Sequence, residues 1–322
     1  MTLKYSVSPV VIGIVLISTI FHVSWNLIAK QGSFSPTLFL RILLCISVPG
    51  LVVAVGSEIF SQGFLAFLWP LLLGASFFEA LYFLGLTVGY RVGDLGVIYP
   101  IARALPVLLL GVFDMARGLS LSAIDWLGLG LVALGCLVVS LSVGSARDDT
   151  DFNFVSRLFR RGVGWAIVAA FGTVGYSAFD KLAAEAIQSE FGSGLTSALR
   201  YGLWEFSFTT ALYVPMLIIF IVISKRRNGG SFVRLGSWGS ASGPQMVNFW
   251  GIVAAAVLLF VAYSFVLWAF QLTDQTSNVV ALRQFSIVLG VVAGAVVMKE
   301  EAPVLRIIAA LIITIGVVLV SL

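Results

Sequence analysis

The stretch FHVSWNLIAK, residues 21–30, carries three polar side chains at a spacing of four within an apolar segment: His22, Asn26 and Lys30. A second apolar stretch, GTVGYSAFDK, repeats this spacing 151 residues later with Thr173, Ser177 and Lys181. Aromatic residues hold matching places in the two stretches, namely Trp25 and Tyr176. A spacing of four places each trio on one face of a helix. Such stripes in corresponding positions of two halves indicate a binding site in a transporter built from a repeat.

The composition around these stretches is typical of a membrane protein. Of the 322 residues, 60% are hydrophobic and 11% are charged, and the mean hydropathy is +1.07, whereas about a quarter of the residues of a soluble domain are charged. A helix needs about 20 mostly apolar residues to cross a bilayer. We therefore expect an all-α integral membrane protein with ten transmembrane helices, near residues 8–30, 35–56, 64–88, 95–113, 121–143, 163–187, 196–223, 248–272, 276–298 and 303–322.

The predicted helices divide into two sets of five. A first repeat occupies residues 1–144, a hydrophilic connecting loop occupies 145–162, and a second repeat occupies 163–322. Some residues recur at a constant offset of 181, such as Tyr82 with Tyr263 and Gly135 with Gly316. Because five helices reverse the direction of the chain across the membrane, the second repeat is expected to be inverted relative to the first.

Eight ionisable side chains fall inside the predicted helices. They are the bases Arg41, Arg103, Lys181, Arg200 and Arg283 and the acids Glu79, Asp180 and Glu205. A charge at the centre of a membrane helix costs about 2.5–3.5 kcal/mol on insertion scales, so each needs a partner or a cavity. Five bases against three acids leave an excess of positive charge that an anionic ligand would relieve. Similar depths in a hairpin predict that Glu79 pairs with Arg103, either as a static lock or in a gating or proton-linked role.

The candidate substrate-binding residues come from both halves. They are His22, Trp25, Asn26, Tyr99 and Arg103 in the first half and Thr173, Tyr176, Ser177, Lys181 and Arg283 in the second. Candidates for coupling or gating are Glu79, Lys30, Asp180 and Glu205. For three of these residues a purely structural role stays open. Lys30 and Lys181 lie near helix ends, where lysine extends to water, and His22 is either a packing residue or a proton carrier.

Several classes of function are disfavoured by what the sequence lacks. It has no Gly-rich phosphate loop of the type that binds ATP. One histidine and two separated cysteines do not make a familiar zinc cluster. We therefore expect no cofactor and no enzyme activity. A net charge of +4 does not indicate a nucleic acid partner. The expected partners are a small-molecule substrate and the lipid bilayer, while a receptor or scaffold that binds without transport stays open.

Four strings resemble the drug/metabolite transporter superfamily, specifically its EamA-like members: FHVSWNLIAK at 21–30, LR at 40–41, VIYPIAR at 97–103 and VVALRQFSIVLGVVAGAVV at 279–297. The resemblance covers essentially all ten predicted helices. It implies two five-helix EamA repeats around a central cavity, alternating access and a bacterial-type cytoplasmic (inner) membrane. Members of the family commonly carry a glutamate after the fourth helix, where this chain has Asp114.

Together these features predict a secondary active transporter for a small amphipathic, anion-bearing metabolite such as an amino acid, with export favoured. The alternative within transport is a carrier of phosphorylated or nucleotide-linked metabolites. Proton coupling is a candidate, and both a monomer and a homodimer stay open. The bias of Lys and Arg among the loops places both termini outside the cell, whereas the family resemblance implies cytoplasmic termini, so both orientations stay open.

Overall fold

The computed structural model describes residues 7–31, 35–92, 95–143, 162–227, 247–296 and 304–322. Within these ranges the secondary structure is helical, and no strand occurs. The helices are α1 (Pro9–Gln31), α2 (Pro36–Phe60), α3 (Phe64–Val92), α4 (Leu95–Ala116), α5 (Ala123–Val143), α6 (Val163–Glu190), α7 (Leu195–Arg227), α8 (Phe249–Gln271), α9 (Thr276–Arg283), α10 (Phe285–Val296) and α11 (Val304–Ser321). Most of the predicted connecting loop, residues 145–161, lies outside the described residues.

Seven spans in the described residues are long and apolar enough to cross a membrane: Pro9–Ala29, Pro36–Phe60, Phe64–Gly89, Leu195–Ile223, Phe249–Gln271, Thr276–Ala293 and Val304–Ser321. The shorter segment Ala123–Val139 is also apolar. Large hydrophobic side chains point away from the protein, with Phe60 92% exposed and Trp250 74% exposed. Soluble monomers rarely expose apolar surface on this scale. The chain therefore has the character of an α-helical membrane protein.

The ninth predicted helix is interrupted. The sequence predicted one helix over 276–298, but the structure has α9 up to Arg283 and α10 from Phe285. At the junction, Gln284 N–H donates to the Ala281 carbonyl over 3.0 Å, and Ile287 N–H donates to the Gln284 carbonyl over 2.9 Å. These bonds span three residues, which is the tighter pattern of a 3₁₀ turn. Neither proline nor glycine stands at the junction, so no residue pattern predicted this interruption.

Three pairs of helices pack along one another: α3 with α6, α1 with α8, and α5 with α11. In the order of the two halves, α1 corresponds to α6 and α3 corresponds to α8. The α3–α6 pair of one arrangement is therefore the counterpart of the α8–α1 pair. The buried side chains form two apolar clusters, and each contains residues from before and after the connecting loop. The halves are therefore interleaved rather than separately packed.

Glycines permit the closest of these approaches. A Cβ at Gly172 of α6 would lie 2.7 Å from the Tyr82 nitrogen and 2.8 Å from the Phe78 oxygen of α3. In the α5–α11 pair, Gly128 and Gly316 face each other, so that a Cβ on Gly316 would lie 2.7 Å from the Gly128 oxygen. Since the obstructing atoms are backbone, they cannot move aside as a side chain could. Gly172 therefore fixes the separation of α3 from α6, which carries the second polar stripe, and the other two glycines fix the separation of α5 from α11.

We expect Gly172→Ala to destabilise the protein by about 1–3 kcal/mol, because the added methyl group forces α3 and α6 apart. The matched control is Gly164→Ala on the same helix, where a Cβ meets nothing within 4 Å. This control should hold stability or raise it by up to about 1 kcal/mol through helix propensity. Thermal unfolding of the purified protein in detergent measures both. Equal midpoints for the two variants would contradict the close approach.

Candidate functional site

A small cavity lies among α3, α4, α6 and the α9–α10 junction. Its lining is Tyr82, Ala102, Arg103, Thr173, Tyr176, Val280, Arg283 and Gln284, and we call it the arginine cavity. Its volume, measured as space for the centre of a water-sized sphere, is about 10 Å³. This is room for about one water molecule. The two arginines come from opposite halves of the chain, and α9 ends at Arg283 on the cavity wall.

His22 on α1 contacts Arg103 at one side of the arginine cavity. The His22 Nε2 atom lies 2.7 Å from Arg103 Nη2, and the Trp25 indole N–H lies 3.2 Å from His22 Nδ1. Indole and guanidinium groups are donors only, whereas a neutral imidazole offers one acceptor nitrogen and one N–H. If Nδ1 accepts from Trp25, the Nε2–H faces another donor. This side of the cavity is therefore rich in donors.

Three tyrosines lead from the arginine cavity into the protein. The Tyr176 ring meets the Tyr82 ring edge to face, with centroids 5.8 Å apart and planes at 70°. On its other side it meets the Tyr263 ring in the same manner, at 5.9 Å and 71°. Such edge-to-face pairs are favoured by the charge distribution of aromatic rings. Arg283 also reaches this row, since its guanidinium carbon lies 5.9 Å from the centroid of Tyr263.

Behind the tyrosines lie three buried carboxyl groups, Glu79 of α3, Asp180 of α6 and Glu205 of α7, which we call the acid cluster. The Tyr263 hydroxyl makes a very short contact with Asp180 Oδ2 and lies 3.1 Å from Glu205 Oε1. Other hydroxyls complete the surroundings: Tyr201 donates to Asp180 over 3.2 Å, and Thr209 donates to Glu79 over 2.6 Å. The acid cluster joins four helices.

Glu79 and Arg103, which the sequence predicted to form an ion pair, contact other side chains. Glu79 Oε2 accepts from Thr209, and Arg103 Nη2 lies against His22. Sequence depth alone placed Glu79 level with Arg103, but the direction in which a side chain leaves its helix also decides its partner.

Lys181 lies away from the arginine cavity, although the sequence counted it as a substrate ligand. Its side chain is 2% exposed, and its Nζ donates to the carbonyls of Phe270 and Thr273 over 3.0 and 2.5 Å. Its ion pair with Glu185 spans 3.1 Å. Arg117 contacts the same Glu185 carboxylate. Lys181 therefore ties α6 to the end of α8 at one end of the bundle.

Asp114, which stands where the family commonly has a glutamate, caps a distant helix. Its carboxylate accepts from the backbone N–H groups of Thr276 and Ser277 over 3.0 and 2.8 Å. These groups open α9, and a carboxylate is favoured at a helix N-terminus. Arg117 lies 3.8 Å from Asp114. This contact fixes α9, and with it Arg283, relative to α4.

The other predicted site residues have varied surroundings. Thr173 of the polar stripe and the neighbouring Tyr176 line the arginine cavity. Ser177 is buried, and its hydroxyl lacks a hydrogen-bond partner among the described residues. Trp25 is packed in the apolar core, and the Asn26 amide donates to the His22 carbonyl over 2.7 Å. The side chains of Lys30 and Tyr99 lie outside the part of the chain that the structure describes.

Sequence reasoning missed Tyr201 and Thr209 as neighbours of the acid cluster. A signal for them existed, since Tyr201, Glu205 and Thr209 are again spaced by four on α7.

The excess of positive charge that the sequence predicted inside the helices also changes. Arg200 pairs with Glu58 over 2.8 Å, and Lys181 pairs with Glu185, two acids that the sequence count left out. Arg103 and Arg283 both line the arginine cavity.

Solved structures share this fold at low sequence identity. Twenty-seven chains match, and one of them, described only as the crystal structure of a protein, has a TM-score of 0.64 and 15% identity to this chain. The match covers 96% of this chain and 95% of the other. No family model and no curated protein matches the sequence. At this identity the likeness concerns the fold alone.

We expect Lys181→Met to lower the free energy of unfolding by about 1.5–3 kcal/mol, because an ammonium loses charge-assisted hydrogen bonds to two carbonyls. Denaturation of the purified protein in detergent measures this change. The matched variant Glu185→Gln removes the ion pair and leaves the carbonyl contacts in place, so its loss should be smaller. Unchanged stability in Lys181→Met would contradict the structural role and favour the ligand role predicted from the sequence.

Proposed function

We propose that the protein is a secondary carrier that moves a small amphipathic, anion-bearing metabolite across a bacterial-type cytoplasmic membrane by alternating access. One observation carries the proposal: Arg103 and Arg283, from opposite halves of the chain, line the same cavity. Two guanidinium groups on one cavity suit a carboxylate or a similar anion, which each can bind through paired hydrogen bonds. The resemblance of the sequence to EamA-like transporters implies the same class of function.

The contact of His22 with Arg103 supports an anionic ligand. In the tautomer whose Nδ1 accepts from Trp25, the Nε2–H of His22 and the Arg103 guanidinium are both donors. In that tautomer, an anionic oxygen bound beside the two groups would accept from both. Binding would replace an unfavourable donor–donor contact by two charge-assisted hydrogen bonds, which are the stronger kind. The Tyr82 and Tyr176 rings beside it offer an apolar surface and hydroxyls for the remainder of the ligand.

The interruption between α9 and α10 is a second support. A 3₁₀ turn within a helix often marks a functional hinge. Here the interruption falls at Gln284, which lines the arginine cavity beside Arg283. The Gln284 side-chain oxygen is buried and lacks a hydrogen-bond partner among the described residues. It is suited to accept a hydrogen bond from an amine or hydroxyl of the cargo.

The packing of the helices supports an inverted repeat of two five-helix units. The α3–α6 pair corresponds to the α8–α1 pair when the halves are exchanged, and α5–α11 corresponds to itself. In inverted-repeat carriers, the two halves rock against each other around a site between them. A cavity with room for about one water has to widen before it admits a metabolite. Such widening is what alternating access supplies.

The test is to express the protein in a bacterial host and to compare metabolites inside and outside the cells with an empty-vector strain. We expect at least one anion-bearing metabolite to be redistributed, and Arg103→Gln and Arg283→Gln each to reduce this flux by about tenfold or more. That size follows from the loss of one charge-assisted hydrogen bond of about 1.5–3 kcal/mol. Metabolites that carry phosphate would favour the alternative cargo class.

The matched control for these variants is Arg226→Gln, because Arg226 is an exposed arginine at the end of α7, away from the arginine cavity. It should keep the wild-type flux. Membrane levels of each variant are measured by immunoblot so that loss of protein is not read as loss of transport. If no metabolite differs from the empty vector, uptake into proteoliposomes decides, and the absence of flux there would leave a binding protein rather than a carrier.

A further inference from the structure

We propose that Asp180 and Glu205 form a proton-binding site linked to the arginine cavity, so that the protein binds one anion together with one proton. The inference rests on the proposed function for its account of the anion as cargo. The proton site itself rests on separate contacts. It would make the carrier a symporter of an anion and a proton, whichever metabolite is carried.

The Tyr263 hydroxyl shows why a proton is needed. It contacts Asp180 Oδ2 and lies 3.1 Å from Glu205 Oε1. A phenol has one proton to donate, and an ionised carboxylate is an acceptor only. The hydroxyl donates to one carboxylate, so the other carboxyl group must supply the proton for the second hydrogen bond. The pair is therefore complete when it holds one proton between its two carboxyl groups.

A second observation points to the same ligand. Glu205 is fully buried, and its Oε2 atom has no hydrogen-bond partner among the described residues. A bare carboxylate oxygen in such a place is costly, whereas a protonated carboxyl group carries no net charge. Among the described residues, no group of three or more His, Cys, Asp or Glu side chains is arranged to hold a metal ion. A proton is the cation that this arrangement fits.

The surrounding charges set the direction of coupling. The titratable and charged groups nearest the pair are Glu79, Tyr201, Tyr263 and Arg283, and beyond them around the arginine cavity lie Tyr82, Tyr176, Arg103 and His22. Arg283 reaches the ring of Tyr263, whose hydroxyl contacts both acids. Lys181 follows Asp180 in the chain but is directed to the carbonyls of Phe270 and Thr273. The cations nearest the pair therefore belong to the arginine cavity.

An anion at Arg283 would offset the charge that favours ionised carboxylates in the acid cluster. Asp180 and Glu205 would then hold a proton more tightly, because a nearby negative charge favours the neutral form of an acid. Coupling between two sites is reciprocal, so a bound proton would in turn tighten the binding of the anion. The row formed by Tyr176 and Tyr263 places the two sites next to each other. One negative and one positive charge enter together, and the net charge of the interior is unchanged.

Proton uptake by the purified full-length protein tests the coupling directly. Benzoate serves as the probe because it is a small amphipathic anion that remains ionised at neutral pH. Added to the protein in weakly buffered detergent solution with a pH indicator, it should cause uptake of about one proton for each benzoate bound. Its apparent Kd should fall by up to about tenfold for each unit by which the pH is lowered. Binding without proton uptake, or no binding of benzoate, overturns the coupling.

Infrared spectroscopy tests the site itself without any ligand. The wild-type protein should show a C=O stretching band of a buried protonated carboxyl group that changes with pH. Asp180→Asn and Glu205→Gln should each remove or shift this band, and Tyr263→Phe should shift it while both acids remain. The matched control is Glu190→Gln, an exposed acid on the same helix as Asp180, which should leave it unchanged. A band that is identical in all four variants overturns the site.

Failure of this inference can be told apart from failure of the proposed function. A titrating carboxyl band with proton uptake, but no flux across proteoliposome membranes, would keep the proton site and remove the carrier. Flux that ignores an imposed pH gradient, with no titrating band, would keep the carrier and remove the proton site. Flux that follows the pH gradient in wild type but not in Glu205→Gln supports both.

Discussion

The cost of placing charge among apolar helices governs the arrangement of this protein. A buried ion loses its water and is tolerated only with partners of good geometry. The charge of Lys181 is compensated by Glu185 and two carbonyl groups, and the charge of Arg200 is compensated by Glu58. These pairs lie near the ends of helices, where they tie neighbouring segments together. Around Arg283 the compensation is looser, because its guanidinium lies against the Tyr263 ring and the acid cluster stands behind the row of tyrosines.

Helices in close backbone contact and the α9–α10 junction have different consequences for motion. Helices held by backbone contact at Gly172 and Gly316 keep a fixed separation, so they move as units. The α9–α10 junction has no such contact and is held instead by the Asp114 cap at the start of α9. Hinges are typically a few residues at element ends that absorb changes in backbone angles. The junction at Gln284 has this form, and it bears directly on the arginine cavity.

Patterns within one helix named two residues of the cavity wall, while contacts between helices were harder to foresee. The spacing of four named Thr173, the matching aromatic place named Tyr176, and the apolar runs predicted the seven spans that the described residues contain. The same spacing named Lys181, whose Nζ bonds to the Phe270 carbonyl because a long side chain selects its partner by reach and direction. The contact of His22 with Arg103 crosses 81 positions of sequence, and no local pattern encodes such a separation.

A static core and a working site differ in how their polar groups are satisfied. In a static core, donors and acceptors match, since each unpaired group costs about 1–3 kcal/mol. Here His22 meets two donors, Glu205 keeps a bare oxygen, and the Gln284 oxygen lacks a partner among the described residues. The first is relieved by an anion, the second by a proton and the third by a donor on the cargo. The first and the third lie at the arginine cavity, and the second lies behind its row of tyrosines, so all three are placed to be relieved when an anion and a proton bind together.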